Sequence, residues 1–135
     1  MGQALLVSID LGTGAKILQI LDEAGLKVSV ASWVYLEEYA DWRLLIASWP
    51  LDAAGPLEAY GLVNRALNAV GFLIEKTPAI LILPMTDPTI RALRRYFGRT
   101  KNITVEGTRI GGQQFGNRWV EDGYVYRVAL SGSAL

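Results

Sequence analysis

From Ala15 the apolar side chains Ile17, Ile20, Leu21 and Ala24 recur at intervals of three and four, the stripe of an amphipathic helix. Gly25 closes that stripe as a C-terminal cap. The apolar run Leu5 to Ile9 ahead of it has room for a short strand. The period then changes. KVSVASWVYLE and WRLLIASW are rich in β-branched and aromatic residues and flank the polar EYAD, which predicts a hairpin. With its turn centred between Tyr39 and Ala40, Trp33 would face Ile46, Tyr35 would face Leu44 and Glu37 would face Trp42. The other face would carry Val30, Val34, Leu36, Leu45 and Trp49. Both faces are apolar, so the sheet is expected to be covered on both sides or used in assembly.

PLDAAGP breaks the strand, and Pro56 suits a first helical position. Ala59, Val63, Ala66, Leu67, Val70 and Ile74 predict a helix from about Pro56 to Leu73. AILIL (Ala79 to Leu83), apolar throughout and bounded by prolines, reads as a central, fully buried strand. In MTDPTIRALRRYFG, Asp87 caps, Pro88 occupies the first turn, Ile90, Leu93 and Phe97 face the core, and Gly98 ends the helix. The remainder supplies two or three strands, turning at Gly111 to Asn117 or at Asp122-Gly123. The order α-β-β-α-β-α-β-β predicts one α+β domain over residues 1–130. A mostly antiparallel sheet would carry two to three packed helices, and residues 131–135 would form a frayed tail. That order loosely resembles the GNAT-type acetyltransferases, but no Q/R-x-x-G-x-G/A run opens a helix as their pyrophosphate loop requires.

Composition sharpens this mainly by absence. The chain has no Cys and no His, which removes thiolate chemistry, disulfides, the usual general base near neutrality and the commonest transition-metal ligand. An enzyme is disfavoured, and no catalytic residue, metal site or cofactor is assigned. No apolar run approaches the roughly 20 residues needed to span a bilayer. No signal peptide is visible, so a soluble, cytoplasmic protein is expected. Four Trp and six Tyr at zero net charge favour self-association, with the hairpin aromatics Trp33, Tyr35 and Trp42 as the homo-oligomer surface.

Three stretches could carry chemistry. Asp10-Leu11-Gly12-Thr13 resembles the first phosphate motif, D-x-G-T, of the actin, sugar-kinase and heat-shock ATPase superfamily. There the motif bends between two strands and needs two lobes; here a helical stripe follows in a chain of 135 residues. What remains is a glycine-containing helix start at which Gly12, Thr13, Gly14 and Lys16 could hold an anion. The competing reading is that Asp10 or Thr13 simply caps the helix.

The zero net charge hides an asymmetry. Residues 1–60 hold eight acids and three bases, while residues 61–135 hold ten bases and five acids. Arg91, Arg94, Arg95, Arg99, Lys101, Arg109 and Arg118 face only Glu106 across residues 91–118. Arg91, Arg94 and Arg95 share a helical face, and Tyr96, Phe115 and Trp119 lie nearby in sequence. Guanidinium forks beside rings suit acidic protein surfaces, phosphates or stacked bases. The third candidate is the adjacent carboxylates Asp22-Glu23, Glu37-Glu38 and Glu121-Asp122. Neighbours on a strand point to opposite faces, so neither Glu37-Glu38 nor Glu121-Asp122 would aim both groups into one site. The sequence reading is therefore a non-catalytic binding or assembly module. Its arginine-rich segment would meet an acidic protein or nucleic acid. The alternative is a small enzyme or sensor taking a phosphate-bearing ligand at Gly12–Gly14.

Overall fold

The computed structural model describes residues 10–72, 77–98 and 105–129. Arg99, Lys101, the Leu5 to Ile9 run, the expected end of the second helix at Leu73 and the tail 131–135 lie outside that set. The elements are α1 (Leu11–Glu23), β1 (Val30–Leu36), β2 (Asp41–Ala47), α2 (Trp49–Ala54), α3 (Pro56–Ala69), β3 (Ile80–Ile82), α4 (Pro88–Phe97), β4 (Thr108–Ile110), β5 (Gln113–Phe115) and β6 (Arg118–Val128). They form an α+β fold around a sheet of order β3-β2-β1-β6-β4, with β5 also on β6. Every strand pair is antiparallel except β2–β3. No described helix is long and apolar enough to cross a membrane.

The sheet is covered on both faces, as the two apolar faces of the hairpin require. On one side Ala31, Trp33, Trp42, Leu44 and Ile46 join Ile17, Ile20 and Leu21 of α1 and Ala59, Val63 and Leu67 of α3. On the other, Val30, Val34, Leu36 and Leu45 meet Ile90, Leu93 and Phe97 of α4. Trp33 and Trp42 are only 3% and 6% exposed, so this fold itself covers most of the hairpin's aromatic surface. The register differs from expectation by two residues: Trp33 pairs Leu44, Tyr35 pairs Trp42 and Leu36 pairs Asp41. The turn spans residues 37–40, with Ala40 at φ 51° and its N–H donating to the Leu36 carbonyl. A slip of two leaves each side chain on its own face, because the strand period is two.

Three expectations need correction. AILIL is an edge strand, half-buried and paired on one side only, to β2. It is apolar throughout because Ile80 and Ile82 pack on one sheet face and Leu81 on the other. Pro78 and Pro84 then bracket a short edge, where missing N–H groups cost least. Trp49 does not extend β2. Ser48 caps a further helix there, accepting the Leu51 N–H at 3.0 Å, and Trp49-Pro50 open it. Asp122-Gly123 is not a turn but the middle of β6. The chain reverses at Gly116-Asn117, between the paired Phe115 and Arg118, with Gly116 at φ 65°. Gly123 is needed for space: a Cβ there would lie 2.6 Å from Ile110 Cγ1 and 2.9 Å from the Trp33 carbonyl oxygen.

Candidate functional site

The arginine-rich segment is divided by the fold. α4 starts as its sequence demands: the Asp87 carboxylate accepts the Thr89 N–H at 2.8 Å, and Pro88 follows it. Arg118, at the start of β6, reaches under this first turn. Its guanidinium donates to Asp87 Oδ1 at 2.8 Å and Thr89 Oγ1 at 3.0 Å, while Thr89 donates to the Phe115 carbonyl at 2.9 Å. Arg118 therefore ties α4 to the β5–β6 turn. Arg109 sits across the sheet from α4, because its strand neighbour Ile110 belongs to the α4 side and alternate residues face opposite ways. There it pairs with Asp122 at 2.5 Å and donates to the Gly123 carbonyl.

What stays together is the α4 group. Arg94 is half-buried and donates to the Ala129 carbonyl at 3.2 Å. Arg91 and Arg95, one turn apart, are exposed and pair with no carboxylate among the described residues. By contrast Arg43, Arg65, Arg109, Arg118 and Arg127 each hold an acid: Asp41, Glu58, Asp122, Asp87 and Asp22. Tyr96, next to Arg95, is 44% exposed and packs edge-on against Phe97 and Phe115. The outer side of α4 is thus a cationic strip with an anchored ring beside it.

The glycine-containing start of α1 has a structural explanation. Asp10 is the cap: its Oδ1 accepts the Thr13 N–H at 3.0 Å, and the Thr13 side chain first, then this N–H, hold its carboxyl below the usual range. The carboxylate occupies the position an anion would take. Gly14 serves close packing. Tyr126 donates to the Leu11 carbonyl at 2.5 Å and accepts the Trp33 indole N–H at 3.0 Å, directly beneath Gly14. A Cβ on Gly14 would come within 2.4 Å of the Tyr126 hydroxyl. A bulge between Ala31/Ser32 and β6 brings both Tyr126 and Arg127 to this side, where Arg127 grips Asp22 through two bonds of 3.2 and 2.8 Å. Lys16 is exposed beyond this cluster.

Burial pushes the Tyr126 phenol above its ordinary value, against the lowering effect of the Trp33 hydrogen bond. The folded chain thus holds this proton more tightly than the unfolded chain. Its contribution to stability is full below the ordinary tyrosine pKa and is lost as pH rises through the folded one. Urea midpoints should therefore fall at alkaline pH, and Tyr126→Phe should show a smaller alkaline fall from its own lower starting point.

A further concavity lies where the sequence reading placed only a strand break. The carboxyl end of β3, the strand parallel to β2, opens onto a cleft between α2, the start of α3 and the Leu83–Thr86 segment. Asp52 on α2 accepts the Met85 N–H at 2.9 Å, and Tyr60 on α3 accepts the outward Ile82 N–H of the edge strand at 3.0 Å. The available signal was Gly55-Pro56, which starts a new helix at φ 90° with no side-chain cap. That a second strand end would stand beside it was not readable. Among the described residues no group of three or more acidic side chains gathers as a metal site. No protein-family model, curated protein or solved structure matches this chain.

Proposed function

We propose that this protein is a small non-catalytic binding module whose contact face is the outer side of α4, meeting an acidic protein partner through Arg91, Arg95 and Tyr96. One observation carries the reading: five other arginines are neutralised by carboxylates of this chain, whereas Arg91 and Arg95 project without one among the described residues. Tyr96, held by packing, loses little freedom on binding, and the planar guanidinium forks lose less per hydrogen bond formed than an ammonium would. Acidic protein is favoured over nucleic acid because the strip is short. Two phosphate contacts would give a salt slope of only about 2, far from the 6–10 contacts typical of a nucleic-acid binder.

Retention on immobilised polyglutamate at low ionic strength tests this. Wild type should be held, and Arg91→Glu/Arg95→Glu should flow through with an unchanged circular dichroism spectrum. Equal retention of both proteins would refute the assignment. Stronger capture by single-stranded oligothymidylate than by polyglutamate would transfer the face to nucleic acid.

A further inference from the structure

We infer that the cleft at the carboxyl end of β3, between α2 and α3, is a small-molecule site, taking a neutral, largely apolar ligand of about one aromatic ring with a hydrogen-bond donor at its tip. Three observations converge, all independent of the outer face of α4. The first is position: the cleft lies beyond the carboxyl end of β3, whose Ile82 lines it. Ligands in open α/β sheets bind outside the carboxyl ends of parallel strands, and β2–β3 is the only parallel pair among the described residues. The second is size and lining. The cavity is about 290 Å³ and partly open, walled by Leu51, Pro56, Ala59, Ile82 and Pro84. A benzene ring is held in roughly 150 Å³ when enclosed, so one ring with a short polar substituent fits.

The third observation is the polar group. Asp52 lines the cleft; its Oδ2 is engaged by the Met85 N–H, and no described residue donates to Oδ1. A carboxylate accepts and cannot donate, so the ligand must bring the donor. The charge of the ligand follows from the surroundings. The negative Asp52 repels an anion. The α3 N-terminus, uncapped at Gly55, places a partial positive charge at the same wall and weakens the attraction for a cation. The apolar lining also gives an ammonium no partners for its remaining N–H groups. A hydroxyl or neutral N–H is the remaining match.

Benzyl alcohol, acetophenone, benzoate and benzylamine are the probes, followed in an amide proton–nitrogen correlation spectrum. Benzyl alcohol should cause saturable shifts confined to Leu51, Asp52, Ala59, Ile82 and their neighbours. Acetophenone, of similar size but without a donor, should bind about tenfold more weakly, the cost of leaving the carboxylate unmatched. Benzoate and benzylamine should bind no better than acetophenone. Asp52→Asn can keep its oxygen on Met85 and turn an amide donor toward the cleft; a hydroxyl and a ketone can both accept from it, so the preference for the alcohol should disappear. Thr86→Phe, at an exposed position on the rim, should abolish every shift without altering the fold. The inference is overturned if benzyl alcohol causes no saturable shifts, if they scatter outside the cleft, or if alcohol and ketone bind wild type equally. It is also overturned if benzylamine binds tightest, or if Asp52→Asn leaves the roughly tenfold preference for the alcohol intact.

Discussion

Gly14→Ala should destabilise this protein by about 3 kcal/mol, although alanine is the better helix former. The added methyl would lie 2.4 Å from the Tyr126 hydroxyl and 2.8 Å from the Trp33 indole nitrogen, closer than carbon approaches either atom. Something must move, and the neighbours are not flexible tips. Tyr126 is held by the Leu11 carbonyl and by Trp33, and Trp33 is 3% exposed in the middle of β1. Overpacking costs about 1–3 kcal/mol, and loss of a buried hydrogen bond about 1–2 more. The gain in helix propensity returns only about 1 kcal/mol. Gly12→Ala, two residues earlier on the same helix, is the internal comparison. Its Cβ would meet only Asp10 Oδ1 at 3.4 Å, an ordinary contact, so it should be neutral or stabilising by up to about 1 kcal/mol. Urea denaturation of the two variants decides between close packing and ligand binding as the reason for these glycines. Equal effects would mean that Gly14 is not the contact described.

Gly116→Ala should be comparably damaging, by about 3 kcal/mol, for a different reason. Gly116 stands at φ 65°, and its Cβ would fall 2.4 Å from the Pro88 carbonyl carbon and 2.7 Å from the Thr89 nitrogen. Both are backbone atoms of the first turn of α4, so relief requires the helix to lift from the sheet. Lifting it would break the bonds that join Phe115 and Arg118, on either side of the β5–β6 turn, to Thr89 and Asp87. Gly112→Ala separates strain from collision. Gly112 has a similar φ of 67°, with nothing within 4 Å of a Cβ. It should cost only the conformational penalty, about 1–2 kcal/mol. A Gly116 variant no worse than the Gly112 variant would show that α4 does not rest on this turn.

The candidate surfaces were legible to very different degrees. The α4 arginines were readable because their spacing lies within one helix, and local geometry fixes which side chains are neighbours. Proximity in sequence alone groups Arg109 and Arg118 with them. Their partners, Asp122 and Asp87, are 13 and 31 residues away, and pairing at such range depends on strand register. The cleft was not visible at all. It exists because β3 returns parallel to β2, so Asp52 and Pro84 become neighbours only when the crossover through α2 and α3 is complete.

By itself the sequence determined what local periodicity and capping can specify. It set the α1 and α4 stripes, the Asp87 cap with Pro88 behind it, the two apolar faces of the hairpin and an α+β order of elements. It also set the absence of cysteine and histidine, and with it the chemistries this chain must do without. The tertiary structure decided the rest: the edge position of AILIL, the hairpin register, the reversal at Gly116-Asn117 and the purpose of Gly14. Each of these depends on a contact between residues far apart in the chain. A short apolar strand reads alike at the centre or edge of a sheet packed on both faces, and a glycine required by a neighbouring hydroxyl reads like one required by a turn.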